Sequence, residues 1–105
     1  MEFVSFFVTK KSGKKELYDR SKVERAILRA CNKRNISPED VDQVINQLEV
    51  EWAMNKKGIT SKRIGKDVLR KLKDLDEVAM LRFASVYNQF DTYKDFKTFM
   101  KEEFE

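Results

Sequence analysis

Val8-Thr9-Lys10-Lys11-Ser12-Gly13-Lys14-Lys15-Glu16-Leu17-Tyr18-Asp19-Arg20-Ser21-Lys22-Val23 passes from an apolar run through a basic turn into an amphipathic segment, and its reading decides the fold. Upstream, residues 2–9 hold Phe3, Val4, Phe6, Phe7 and Val8 with no breaker, an aromatic and β-branched composition that reads as a strand. Ser12-Gly13 supplies a turn and Glu16-Leu17-Tyr18 a returning strand, so the chain opens on a hairpin with a basic tip. Asp19 or Ser21 then caps a helix predicted over residues 20–33, where Val23, Ala26, Ile27, Ala30 and Cys31 recur at spacings of three and four.

Beyond the hairpin the pattern is helical. Ser37-Pro38-Glu39-Asp40 starts a second helix over residues 38–55, with Ser at the N-cap, Pro in the first turn and acids beside the positive end of the helix dipole. Its apolar stripe is Val41, Val44, Ile45, Leu48 and Trp52, and Gly58 reads as its stop. Ser61 is the expected N-cap of a third helix over residues 62–73, striped by Ile64, Val68, Leu69 and Leu72. A fourth, over residues 77–90, is apolar on nearly every face and reads as central and buried. Residues 91–105 place Tyr93, Phe96, Phe99, Met100 and Phe104 among Lys and Glu, a stripe that covers the core or docks on a partner. The fold class is α+β, a small hairpin or three-stranded lid over a four- or five-helix core.

At 105 residues the chain suits one domain spanning residues 1–105. One Cys and no His exclude a disulfide, a zinc ribbon and a His-dependent catalytic site within it. Cys31, on the apolar face of the first helix, reads as packing rather than as a nucleophile. With 38% charged residues no stretch is long and apolar enough to span a membrane, and Met1-Glu2-Phe3 lacks a secretory start, so a cytoplasmic protein is expected. Net charge is +4, but residues 1–35 alone carry +6, which points that third toward polyanions, either nucleic acid or nucleotide phosphates.

The lysines around Ser12-Gly13, with Lys22 near the next helix start, could place ammonium and N–H groups around one phosphate. The plainer reading is a solvated hairpin tip. With one Gly and no Gly-Lys-Ser or Gly-Lys-Thr, the segment is no Walker A loop. Arg82, alone in an apolar helix, reads as snorkelling or paired, with phosphate contact as the other option.

The same run resembles the opening of an ATP-cone, the nucleotide-sensing domain of ribonucleotide reductases and of their transcriptional repressor. Val8, Lys10, Gly13, Glu16, Asp19 and Lys22 stand at the family's positions. Lys11 replaces its usual Arg, Ser12 its Asp and Tyr18 its Phe. Thr60-Ser61-Lys62-Arg63-Ile64-Gly65 is similar to a second family motif. Leu75-Asp76-Glu77-Val78-Ala79-Met80-Leu81-Arg82-Phe83-Ala84-Ser85-Val86-Tyr87 resembles the NrdR-type repressors rather than the reductases, with Met80 where they carry Tyr.

The resemblance implies an ATP or dATP effector, with or without Mg2+. Val8 and the backbone near Lys10 would flank the adenine, and Val23 and Ile64 would sandwich it. Lys10, Lys11 and Lys22 would take the phosphates, Glu16 would orient base or ribose, Ser61 would hydrogen-bond nearby, Gly65 would permit close helix approach, and Tyr87 would close the pocket. Taken singly, Val23, Ile64 and Met80 read as core, and Glu16 as the partner of a hairpin lysine. The implied role is allosteric and not enzymatic, with self-association, no membrane partner, and DNA read only through a zinc ribbon that this chain lacks. A basic nucleic-acid module and a cone detached from a reductase are the alternatives.

Overall fold

Gly13 adopts φ 88°, a conformation open to glycine and costly for other residues, and this reverses the chain between the first two strands. Across that turn the Lys10 N–H donates to the Lys14 carbonyl and the Gly13 N–H to the Lys10 carbonyl, both at 2.8 Å. The computed structural model describes residues 5–55, 57–87, 97, 98 and 101. Strands β1 (Phe7–Thr9) and β2 (Lys15–Leu17) pair antiparallel, with Val8 opposite Glu16. A third strand, β3 (Ile59–Thr60), joins β1 in parallel with Val8 opposite Ile59, so the sheet order is β2-β1-β3. Phe6, Val8 and Ile59 are buried on the inner side, whereas Phe7 on the other is 58% exposed.

Four helices complete the described chain: α1 (Arg20–Ala30), α2 (Pro38–Ala53), α3 (Ser61–Leu75) and α4 (Glu77–Tyr87). Asp19 caps α1 through the Ser21 N–H, and Ser37 and Asp40 form a reciprocal capping box on α2. The stripes foreseen on α1, α2 and α3 converge on one core, in which Trp52, Ile27, Ile45, Leu48, Leu72 and Met80 are fully buried. Cys31 is buried there too, as packing requires. The architecture is the expected α+β one, a three-stranded mixed sheet over helices.

Several boundaries differ for identifiable reasons. The first helix stops at Ala30 because the chain turns through Lys33 at φ 61°. There Arg82 of α4 donates to the carbonyls of Asn32 (2.6 Å) and Ala30 (3.4 Å), so it is a paired residue that caps α1. The N-cap of α3 is Thr60 and not Ser61: pairing with β1 holds Thr60 extended, and its Oγ1 accepts the Arg63 N–H at 3.1 Å. That helix runs on to Leu75, and the single residue Asp76 turns it into α4 by accepting the Ala79 N–H at 2.9 Å. Met54, rather than Gly58, is the C-cap of α2. Gly58 serves a different end: at φ 84° it passes so close to β1 that a Cβ would stand 2.9 Å from the Phe7 carbonyl oxygen. On α4, Ala79, Met80, Phe83 and Ala84 are buried while Val78 is 38% exposed, so this helix buries one face rather than all of them.

The expectations for residues 2–4, for the end of the fourth helix at Phe90 and for the stripe in 91–105 lie outside the described residues. Among the described residues, no helix is long and apolar enough to cross a membrane.

Candidate functional site

Strand register decides which side chains meet. Val8 is the middle residue of the central strand, and its row across the sheet is Glu16, Val8, Ile59. Two residues after β2, Asp19 opens α1, which carries Lys22 and Val23 back past that row. On the other side α3 follows β3 directly, so Ser61 and Ile64 lie in its first turns. Together these elements form a half-open cavity of about 220 Å³, lined by Val8, Lys10, Glu16, Leu17, Tyr18, Asp19, Lys22, Val23, Ser61 and Ile64.

The cavity is apolar within and charged at its mouth. Val8 and Ile64 belong to the buried core and Val23 packs against it, giving aliphatic walls from three separate elements. Glu16 bridges the two lysines: Lys10 Nζ lies 3.2 Å from one carboxylate oxygen and Lys22 Nζ 3.5 Å from the other. The hydrogen bond from Lys10, aided by the charges of both lysines, holds the Glu16 carboxyl below the usual carboxylate range. Asp19 is lowered as well, chiefly by the Ser21 hydroxyl, which donates to its Oδ1 at 2.6 Å. Asp19 Oδ1 also accepts the Ser21 N–H at 3.0 Å, so that N-terminal donor of α1 is already satisfied from within the protein.

Tyr18 anchors this wall to the core. Its ring stacks on Phe6 at 4.5 Å between centroids and meets Trp52 edge-on at 5.9 Å. Its hydroxyl donates to Glu49 Oε2 at 2.7 Å, and Arg20 donates to Glu49 Oε1 at 2.6 Å. Burial, the bond to Glu49 and the nearby carboxylate charge push the Tyr18 hydroxyl far above its ordinary value, so it stays a proton donor. Arg20 also donates to Asn46 at 2.8 Å and pairs with Asp42, tying the start of α1 to α2. On the far side of Trp52, its indole N–H donates to Asp67 at 2.9 Å.

Of the residues singled out in the sequence, Val8, Lys10, Glu16, Lys22, Val23, Ser61 and Ile64 line this one cavity. Lys11 stays on the exposed hairpin tip and is not among the lining residues. Gly65 is buried in α3 next to Ile64 but does not line the cavity, and the Tyr87 side chain lies outside what the structure describes. Nor do all the hairpin lysines converge. Alternation along β2 turns Lys15 away from Glu16, and it lines a separate concavity of about 620 Å³ with Phe7, Asn55, Lys57 and Gly58. Met80 is core, 1% exposed.

Leu17, Tyr18 and Asp19, the three residues after Glu16, also line the cavity; the sequence marks Tyr18 and Asp19 as family positions and Asp19 as a helix cap, but none of the three as a nucleotide contact. Nothing local signalled Glu49, because its partners Tyr18 and Arg20 are 31 and 29 residues away. Among the described residues, no group of three or more His, Cys, Asp or Glu could hold a metal ion.

A mixed β2-β1-β3 sheet whose central strand, flanking helix start and following helix line an apolar concavity edged by Lys10 and Lys22 defines a small α+β domain class. The family model described as ATP cone domain matches residues 6–93, and the chain belongs to that family. It is 44% identical over 103 residues to the transcriptional repressor NrdR of Agathobacter rectalis, covering 97% of this chain and 66% of the relative. It is 45% identical over 91 residues to the NrdR of Chloroflexus aggregans, covering 86% and 52% respectively. With the NrdR of Listeria monocytogenes it shares 45% identity over 96 residues, covering 90% and 60%. The chain thus spans between about half and two thirds of the length of these relatives. It is a nucleotide-binding regulatory domain of the ATP-cone family, similar to part of the NrdR repressors.

Proposed function

We propose that the cavity seats the adenine of ATP or dATP and that its occupancy is the regulatory signal of this domain. One observation carries the reading: Val8, Val23 and Ile64 wall an apolar space whose mouth holds Lys10 and Lys22. Pockets that enclose a whole drug-sized ligand run to about 300–1,000 Å³. A space of about 220 Å³ suits the base, with ribose and phosphates at the mouth beside the two ammonium groups. Ser61, among the lining residues, would hydrogen-bond near the base, and Gly65 would permit close helix approach. Lys11 would reach only a long phosphate chain. Tyr87 is the remaining family position expected to close the pocket. Any Mg2+ would ride on the triphosphate oxygens, as that ion commonly does.

The role is binding and not catalysis, in keeping with relatives named as transcriptional repressors. In a longer repressor, ATP against dATP occupancy would shift self-association and through it DNA affinity. Residues 1–105 act as one cone, and sequence-specific DNA reading belongs to a zinc ribbon that one Cys and no His cannot build. Calorimetric titration with ATP and dATP, run beside light scattering and thermal melting, tests this. Binding with a raised melting temperature is expected. No shift with millimolar ATP, dATP or ADP would remove the reading, and steady phosphate release would replace it with an enzymatic one.

A second reading draws on Lys11, Lys14 and Lys15, exposed and outside the cavity. These would contact a nucleic-acid backbone directly, giving weak binding that falls steeply with salt and ignores ATP.

A further inference from the structure

The lysines that face the cavity mouth are not waiting for a ligand. One carboxylate already lies between them, with Lys10 Nζ 3.2 Å from Glu16 Oε2 and Lys22 Nζ 3.5 Å from Oε1. A phosphate offers two oxygens to two ammonium groups in the same way, so the ligand and Glu16 compete for one set of donors. Glu16 comes from the inner row of the sheet opposite Val8 and is about one-third exposed, so its side chain can swing outward without disturbing the core. Asp19, the other acid lining the cavity, is committed elsewhere, accepting the Ser21 N–H at 3.0 Å and the Ser21 hydroxyl at 2.6 Å.

We propose that Glu16 is a built-in competitor for phosphate, holding Lys10 and Lys22 until a ligand with enough negative charge displaces it. This deepens the nucleotide reading above and rests on it. A carboxylate carries one negative charge and a triphosphate about four, so a polyphosphate wins the two lysines, whereas inorganic phosphate gains little over the carboxylate it replaces. The site therefore selects for phosphate chain length before the base is considered. The lowered carboxyl of Glu16 fits this arrangement, since both lysines favour its charged form.

The test uses inorganic tripolyphosphate, which has phosphates and no base, and compares wild type, Glu16→Gln and the control Glu24→Gln. Glu24 has the same charge and pairs with Arg20 on α1, outside the cavity lining. Glu16→Gln keeps the side-chain size and removes the competing charge. Two partly exposed ion pairs are each worth a small factor, so tripolyphosphate should bind about fivefold tighter to Glu16→Gln, with little change for Glu24→Gln. Equal affinity for wild type and Glu16→Gln overturns the proposal, as does an equal gain in both variants, which would be a net-charge effect. ATP is titrated in parallel. A wild type that binds ATP no better than tripolyphosphate would sink the adenine pocket and leave the Glu16 inference intact. Loss of ATP affinity in Glu16→Gln with unchanged tripolyphosphate affinity would make Glu16 a nucleoside contact and overturn it. A melting curve for each variant confirms the fold.

Discussion

Replacing Glu49 with Gln should destabilise the domain and loosen the cavity wall together. Glu49 is 6% exposed and takes two donors, the Tyr18 hydroxyl at 2.7 Å and Arg20 at 2.6 Å. Gln has the same shape but one acceptor oxygen, so one of the two donors is left facing an NH2 group. A hydrogen bond to a charged group contributes about 1.5–3 kcal/mol. The lower part of that range applies, because Arg20 is 30% exposed and keeps Asn46 and Asp42 as partners. The expected loss is therefore about 1.5–2 kcal/mol, which for a domain near this size lowers Tm by roughly 6–16 °C. Tyr18→Phe removes only the hydroxyl and should cost about 1 kcal/mol. Unfolding monitored by circular dichroism on both single variants and the double variant isolates the coupling between the two side chains. The double variant should be less destabilised than the sum of the singles. Strict additivity, or a Glu49→Gln Tm equal to wild type, would show that this buried pair does not hold Tyr18 in the wall.

Lys10→Ala and Lys22→Ala should each weaken ATP binding by about 1.5–3 kcal/mol by calorimetry if each makes a charge-assisted bond to phosphate. Lys33→Ala, on the turn after α1, should change little, and three equal losses would reduce the basic third to a diffuse field. Gly58→Ala should destabilise by about 1–3 kcal/mol in urea unfolding, since the residue sits at φ 84° with the Phe7 carbonyl oxygen 2.9 Å from the added Cβ. A wild-type midpoint would contradict that steric account. Stability should also fall on acidification. The carboxyls of Glu16, Asp19 and Asp76 are lowered by the Lys10 hydrogen bond, the Ser21 hydroxyl and the Ala79 N–H respectively. Because the unfolded values are higher, the unfolded chain takes up protons first, so their stabilisation is present above the ordinary carboxylate range and is lost as pH drops through the folded values. Asp76→Asn, which still offers an oxygen to the α4 N-terminus, should flatten the acid limb of a Tm-against-pH series, and an unchanged limb would count against this.

Periodicity and capping chemistry were enough to place the four helices and the hairpin, because those signals are local. A Ser-Pro start, a glycine turn and stripes at spacings of three and four act within a few residues of themselves. Of the motif residues, the fold gathers Val8, Lys10, Glu16, Lys22, Val23, Ser61 and Ile64 from three segments into one lining and leaves Lys11 and Gly65 outside it. What sequence could not decide was anything set by pairing at long range. Ile59–Thr60 is too short to read as a strand, and becomes one only because β1 lies beside it, which in turn moves the α3 cap from Ser61 to Thr60. Alternation along β2 sends Lys15 to the opposite face from Glu16, so a run of lysines that looks like one cluster is split: Lys10 lines one concavity, Lys15 the other, and Lys11 and Lys14 neither. The carboxylate between Lys10 and Lys22 and the Glu49 anchor of Tyr18 follow the same logic. Opposite charges abound in a chain that is 38% charged, and only the packed backbone selects which of them come within bonding distance.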